Sequence, residues 1–137
     1  MTVFKTDTAS PRLMTENDWF DVDVITCAAP NLRLRPTNTY NPADGDAVRV
    51  RDKDLLLLHE KKLRRMLDVA VMEGVETIIL GAFGCGAFCN NPEVVALANR
   101  NVIKDYLHAF KNIEYAVYCS PRDDRNYRIF ERVLRLV

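Results

Sequence analysis

The most informative segment of this chain is Thr77-Ile78-Ile79-Leu80-Gly81-Ala82-Phe83-Gly84-Cys85-Gly86-Ala87-Phe88. Its apolar, β-branched beginning predicts a strand. The strand passes directly into a loop that holds three of the chain's five glycines. Asn91-Pro92-Glu93 follows, and this pattern is typical of a helix N-terminus. Strand, glycine-rich loop and helix start together favour a phosphate site, because glycines let backbone N–H groups approach an anion and the helix end adds partial positive charge.

Alternating strand-like and helix-like segments continue on both sides of this stretch. Strands are predicted at residues 20–27, 75–80 and 113–119, and helices at residues 54–73, from Pro92 towards Phe110, and at 124–136. Residues 32–52 are predicted to form a long polar connection. The order strand, helix, strand, helix, strand, helix implies a three-layer α/β fold. The apolar periodicity assigns Leu56, Leu63, Met66, Leu67 and Ala70 to the buried side of the first helix, and Tyr127, Phe130, Val133 and Leu134 to that of the last.

Size and charge exclude several classes of protein. A chain of 137 residues is expected to form one domain. The formal net charge is zero, so general nucleic-acid binding is not expected. No apolar run is long enough to cross a membrane, and no signal peptide is recognised, so a cytoplasmic location is expected. Cys85 and Cys89 have no histidine near them in sequence, so neither a metal nor another cofactor is predicted.

The glycine loop fits neither of the two common nucleotide-binding motifs. No Lys-Ser/Thr pair follows its last glycine, and the spacing Gly81-x-x-Gly84-x-Gly86 reverses the dinucleotide fingerprint. The alternative is a tight strand-to-helix turn, where glycine only avoids clashes. The loop's place after a strand expected at the sheet centre favours a ligand site, since ligands of open α/β sheets bind at such strand ends.

Two segments resemble the microbial poly(ADP-ribose) glycohydrolase family, a branch of the macrodomains. The first comprises residues 79–88 with 90–96, and it resembles the family's phosphate loop. The second is Val24-Ile25-Thr26-Cys27-Ala28-Ala29-Pro30-Asn31, a strand that ends in a small-residue turn. The resemblance implies a three-layer α/β/α macrodomain-like fold with a mixed sheet, truncated at the N-terminus, in which residues 1–137 form a single domain.

The resemblance also implies a ligand, ADP-ribose or a related nucleotide diphosphate. The implied binding residues are Gly81, Ala82, Phe83, Gly84, Cys85, Gly86, Ala87, Phe88 and Asn31. Phe88 is the implied wall of the ribose end, whereas Phe83 could equally be part of the core. Asn31 could donate to the ligand or cap local backbone, as asparagine often does in turns.

The family's catalytic motifs are an Asn-Pro-Gly-Gly-Gly loop and a pair of adjacent glutamates. Neither has a counterpart here, because the sequence contains neither Gly-Gly nor Glu-Glu. The sequence therefore predicts no catalytic residue, and an ADP-ribose-binding domain without hydrolase activity of its own. Two alternatives stay open. A complementing N-terminal chain could supply the missing half, or the chain could be a structural relic that forms a homodimer through an open sheet edge.

Other reactive residues are assigned structural roles. Glu93 complements the dipole of a helix, while Asp21 and Asp23 are expected on the wet face of an edge strand. Cys85 suits a nucleophile only weakly without a histidine partner. Four arginines bracket the long connection, namely Arg33, Arg35, Arg49 and Arg51. They could form a solvated surface or a basic rim that attracts a polyanion.

Overall fold

A computed structural model describes residues 1–34 and 48–135 of the chain. The elements are β1 (Thr2–Val3), a short 3-10 helix (Glu16–Asp18), β2 (Phe20–Asp21), α1 (Asp52–Met72), β3 (Thr77–Leu80), α2 (Pro92–Ile103), β4 (Asn112–Tyr115) and α3 (Arg125–Leu134). β1 pairs with β2 antiparallel, and β3 pairs with β4 in parallel. The chain is therefore of mixed α/β structure with small sheets and three helices. The three-layer macrodomain arrangement stays a prediction.

The core lies where the helices pack on β3 and β4. α2 contacts both α1 and α3. One apolar cluster joins the inner face of α1 to β3 and the end of α2, and its buried members are Leu63, Leu67, Ala70, Ile78, Val102, Ile103 and Phe110. A second cluster packs Phe130 of α3 on Val95 and Ala96 of α2. Burial of these faces anchors both ends of the loop that joins β3 to α2.

The helix and strand predicted around the glycine loop are confirmed. Asn91 caps α2, since its Oδ1 accepts from the backbone N–H of Glu93 at 3.1 Å. Gly74 follows the end of α1 with a φ of 69°, the left-handed conformation that glycine tolerates. β3 follows within three residues of it, and Phe110 packs against the core beyond α2.

The strand predicted at residues 20–27 was wrong in its extent. Only Phe20–Asp21 pairs, and its partner is β1. Val24 and Ile25 are 58% and 42% exposed, because no described strand lies alongside them. A β-rich sequence forms a ladder only where a neighbouring strand is present.

Three smaller expectations about the helices were also wrong. α2 ends at Ile103, and tight i to i+3 hydrogen bonds replace the helix up to Ala109. Leu55 rather than Leu56 is fully buried on α1, where it lines the same face as His59. Tyr127 is 43% exposed, so α3 buries only Phe130 fully.

None of the described helices is long and apolar enough to cross a membrane.

Candidate functional site

The loop between β3 and α2 is held by its own backbone. The N–H of Phe83 donates to the carbonyl of Gly81 at 2.8 Å, and that of Cys85 to Ala82 at 3.0 Å. The N–H of Cys89 donates to Gly86 at 3.0 Å. Successive tight turns therefore give the loop a defined shape without a bound ligand.

Several loop N–H groups are left without an acceptor by this folding. Within the described part of the chain, the backbone N–H groups of Gly84, Gly86, Ala87 and Phe88 make no hydrogen bond. These residues are partly or fully accessible. Neighbouring donors of this kind form an anion-binding concavity, and the N-terminus of α2 adds partial positive charge a few residues on.

Asn90 ties this loop to two other parts of the chain. Its side chain is 2% exposed. Its Nδ2 donates to the carbonyls of Pro30 at 2.8 Å, Gly84 at 3.0 Å and Phe88 at 3.2 Å. Its Oδ1 bonds His59 Nε2 on α1 at 2.8 Å. We call this arrangement the Asn90 clasp, because one amide fixes the loop to the turn at Pro30 and to α1.

The clasp assigns the tautomer of His59. The amide NH₂ of Asn90 faces carbonyl oxygens, so Oδ1 accepts and Nε2 of His59 carries the hydrogen. The ring also packs edge-on against Phe83, with centroids 5.7 Å apart. Burial lowers the pKa of His59, as does Lys62, against the raising effect of the Asn90 bond. The imidazole is therefore neutral, and its contacts with Asn90 and Phe83 support the loop.

Sequence reasoning missed both members of this clasp. Asn90 and Asn91 both precede Pro92, and only Asn91 was assigned a role, that of the helix cap. His59 lies four residues from both Leu55 and Leu63 on the buried face of α1. A histidine on that face was the available signal, because a buried imidazole needs a polar partner.

The small-residue turn lies directly beside the loop. The N–H of Leu32 donates to the carbonyl of Phe88 at 2.9 Å. Asn31 Oδ1 accepts from the backbone N–H and from Nε of Arg33, at 3.4 and 3.0 Å. The Arg33 guanidinium lies 5.9 Å from the centroid of the Phe88 ring. Asn31 thus caps local backbone, and its contact with a ligand stays a prediction.

The two central glycines of the loop have different surroundings. Gly84 has a φ of 79°, and a Cβ there would lie 2.6 Å from Ala29 Cβ and 2.9 Å from Asn90 Nδ2. Nothing lies within 4 Å of a Cβ at Gly86. Gly84 is therefore required by the packing of the clasp, whereas Gly86 opens onto space.

That space is a hollow of about 360 Å³, which we call the loop hollow. Its lining is Cys85, Gly86, Cys89, Asn90, Asn91, Pro92, Arg125 and Asn126. No carboxylate of the described residues lines it, and the sequence had not assigned Arg125 to the site. The loop, the N-terminus of α2 and one arginine of α3 therefore converge on the same hollow.

The other reactive groups are placed as structural residues. Burial raises the pKa of the Cys85 thiol to about 12, which makes it a poor nucleophile. Glu93 forms an ion pair with Arg132 of α3. Asp21 and Asp23 are exposed, as predicted. Among the described residues no group of histidine, cysteine and acidic side chains could hold a metal ion.

Three of the four arginines of the predicted rim lie among the described residues, and the rim itself stays a prediction. Arg33 lies against Phe88, and Arg49 is exposed. Arg51 precedes α1 and pairs with Asp54 at 2.7 Å. Arg35 lies outside the described residues.

Similarity to known proteins is found among solved structures. No family model matches the chain. No curated protein matches it either. A structure of poly(ADP-ribose) glycohydrolase from Deinococcus radiodurans in complex with ADP-ribose matches with a TM-score of 0.57 and 30% identity, over 61% of this chain and 34% of that one. The apo form of the same enzyme matches with a TM-score of 0.56 and 30% identity, over 61% and 35%.

A second crystal form of the ADP-ribose complex matches with a TM-score of 0.57 and 30% identity, over 62% of this chain and 34% of that one. The chain thus spans about a third of the length of the enzyme structures that it matches. Over that part, fold and sequence confirm the resemblance drawn from the loop and turn motifs, and the chain is related to the poly(ADP-ribose) glycohydrolases.

Proposed function

We propose that this chain binds ADP-ribose, or a related nucleotide diphosphate, at the loop of residues 81–88. One observation carries the proposal: the N–H groups of Gly84, Gly86, Ala87 and Phe88 make no hydrogen bond within the described residues. These residues are partly or fully accessible to a ligand, and neighbouring unused backbone donors of this kind form a concavity that favours an anionic partner.

The charge around the loop supports a diphosphate. Arg125 lines the loop hollow, and among residues 1–34 and 48–135 no acidic residue does. The dipole of α2 adds partial positive charge at Asn91 and Pro92, at the same hollow. The related Deinococcus radiodurans enzyme was crystallised with ADP-ribose, which makes that nucleotide the first ligand to test.

The ribose end is assigned to Phe88 and the turn at Asn31. Phe88 is 36% exposed and Arg33 lies over its ring. An accessible aromatic face beside a phosphate site offers an apolar wall to a sugar. The backbone bond between Leu32 and Phe88 holds this wall at the loop.

We further propose that the chain does not hydrolyse ADP-ribose polymers by itself. Glycoside hydrolysis needs a carboxylic acid placed beside the scissile bond. The sequence has no Glu-Glu pair, Glu93 is paired with Arg132, and no acidic side chain lines the loop hollow.

Isothermal titration calorimetry with ADP-ribose tests the binding proposal. We expect saturable heat with ADP-ribose and with ADP, and none with adenosine. Gly86→Val should abolish it while the melting temperature is kept, because the added side chain enters the loop hollow and not the core. Arg125→Gln should weaken binding about tenfold, the value of one charge-assisted hydrogen bond. Arg122→Gln, an exposed arginine outside the hollow, is its matched control.

Absence of heat at about 1 mM ADP-ribose would overturn the binding proposal, since so weak an affinity leaves no specific site. A second assay tests the catalytic statement. The chain is incubated with ADP-ribose polymer, and we expect no free ADP-ribose above a no-protein control. Release at enzyme-like rates would contradict the statement without affecting the binding result.

A further inference from the structure

A second and larger cavity lies along β3 and reaches Gly81 and Phe83 of the loop. It has a volume of about 710 Å³, and we call it the edge groove. All residues of β3 line it, and residues 21–25 and Cys27 line it as well. Leu63 and Met66 of α1 contribute apolar surface. The groove therefore runs between a strand and a second, unpaired segment.

Both of these backbones carry hydrogen-bonding groups that are unpaired among the described residues. Among the described residues β4 is the one strand that pairs with β3. Residues 23–27 form no backbone hydrogen bond with any other described residue. A row of unpaired N–H and C=O groups is a template for strand addition.

The groove exposes apolar side chains of the kind that normally form a protein interior. Ile79 of β3 is 65% exposed, Val24 is 58% and Ile25 is 42%. Parallel strands with apolar residues on both faces are normally covered on both faces. Apolar side chains gathered at one groove mark a surface that another chain covers.

Charge and hydrogen bonding decide what kind of occupant fits. Asp21 and Asp23 line the groove, which disfavours a diphosphate and favours a basic partner. Two of its polar side chains already have hydrogen-bond partners. His59 bonds the side chain of Asn90, while Asn99 donates to the carbonyl of Val95 and accepts from the hydroxyl of Tyr115. The described groups left for recognition are the two carboxylates and the backbone amides, which together suit a basic peptide.

We propose that the edge groove binds an extended strand of a separate polypeptide, with alternating apolar residues and a lysine or arginine opposite Asp21 and Asp23. The strand would add to β3 and bring residues 23–27 into the same sheet. The partner we commit to is a polypeptide strand, because its backbone can pair with both unpaired segments and its basic residue can pair with the two carboxylates. The proposal does not depend on ADP-ribose binding.

Hydrogen–deuterium exchange with a strand peptide tests it. The probe is an end-blocked peptide of roughly seven residues, long enough to span β3, with alternating valine and threonine and a terminal lysine. The control is the same peptide N-methylated at alternate amides, which keeps the side chains but removes the donors of a ladder. We expect exchange to slow at least about tenfold in β3 and in residues 23–27 with the probe, and not with the control.

A variant of this chain makes the test specific. Ile79→Lys should abolish the protection, because a charge enters the groove at a position whose exposure leaves folding intact. Val71→Lys, at an exposed valine of α1 outside the groove, should keep it. Equal protection by both peptides, or none at about 1 mM probe, would overturn the proposal.

Two other occupants are separate outcomes of the same experiment. Protection of β3 that grows with protein concentration alone would assign the groove to a second copy of this chain. Protection of β3 by ADP-ribose instead of the peptide would assign it to the nucleotide. Either result overturns the strand proposal, and neither depends on whether calorimetry finds a nucleotide at the loop.

Discussion

Asn90→Ala is the most informative single change in this chain, because the Asn90 clasp has a calculable cost. After this substitution the carbonyl of Gly84 still accepts from the backbone N–H of Asn90, and the carbonyl of Phe88 still accepts from the N–H of Leu32. The groups that lose their described partner are the carbonyl of Pro30 and Nε2 of His59. Each such group costs about 1–3 kcal/mol when left without a partner, so we expect a loss of about 2–6 kcal/mol. That is a large share of the roughly 5–15 kcal/mol that stabilises a domain.

Urea denaturation followed by circular dichroism measures this loss, with Asn101→Ala as the matched control. Asn101 is exposed and donates to Glu60 at 2.7 Å, so its removal should change the free energy of unfolding by no more than about 0.5 kcal/mol. Equal effects of the two substitutions would refute the reasoning, because the clasp would then contribute no more than a surface contact. Asn90→Asp sharpens the result, since it keeps an acceptor for His59 but cannot donate to Pro30.

Three further predictions concern groups around the same loop. Gly84→Ala should lower the free energy of unfolding by about 2–4 kcal/mol in urea melts, because its Cβ would meet Ala29 at 2.6 Å and its φ is 79°. Gly86→Ala, with nothing within 4 Å of its Cβ, should lower it by less than about 1 kcal/mol. Similar losses at both positions would contradict the packing argument. His59 has a pKa lowered from 6.5 in the folded chain, so the unfolded chain takes up the proton first as pH falls; its share of stability is complete above 6.5 and decreases below that pH. Replacing His59 by Gln should flatten the fall of Tm on the acid side of 6.5, and the same change at exposed His108 should not. The Cys85 thiol has a pKa raised to about 12 by burial, so it should react with a disulfide reagent at pH 8 much more slowly in the native than in the unfolded protein. The exposed thiols Cys89 and Cys119 should react faster in the native protein, and labelling of Cys85 at their rate would contradict the prediction.

The loop and its flanking elements could be predicted because their signals are local. Glycines, the Asn91-Pro92 helix start and a short β-branched run each specify conformation within a few residues. β3, the loop and the N-terminus of α2 therefore appear where the sequence placed them. The two motifs that resembled glycohydrolases also lie side by side, joined by the Leu32–Phe88 bond.

What could not be predicted depends on contacts between distant residues. His59 and Asn90 are 31 residues apart, and nothing local indicates that their side chains meet. Arg125 reaches the loop hollow only because α3 packs on α2. The strand over residues 20–27 failed for the same reason, since its apolar pattern specifies a strand but a ladder also needs a neighbour.

Asp21 and Asp23 have a consequence for the behaviour of the chain on its own. Natural proteins protect open strand edges with charged side chains, because like charges oppose the stacking of identical edges into fibrils. Two carboxylates at the mouth of an apolar groove act as such gatekeepers: two copies that approach edge to edge bring four negative charges together. Their replacement by asparagine would remove the repulsion and leave Val24, Ile25 and Ile79 as an unguarded nucleus for aggregation.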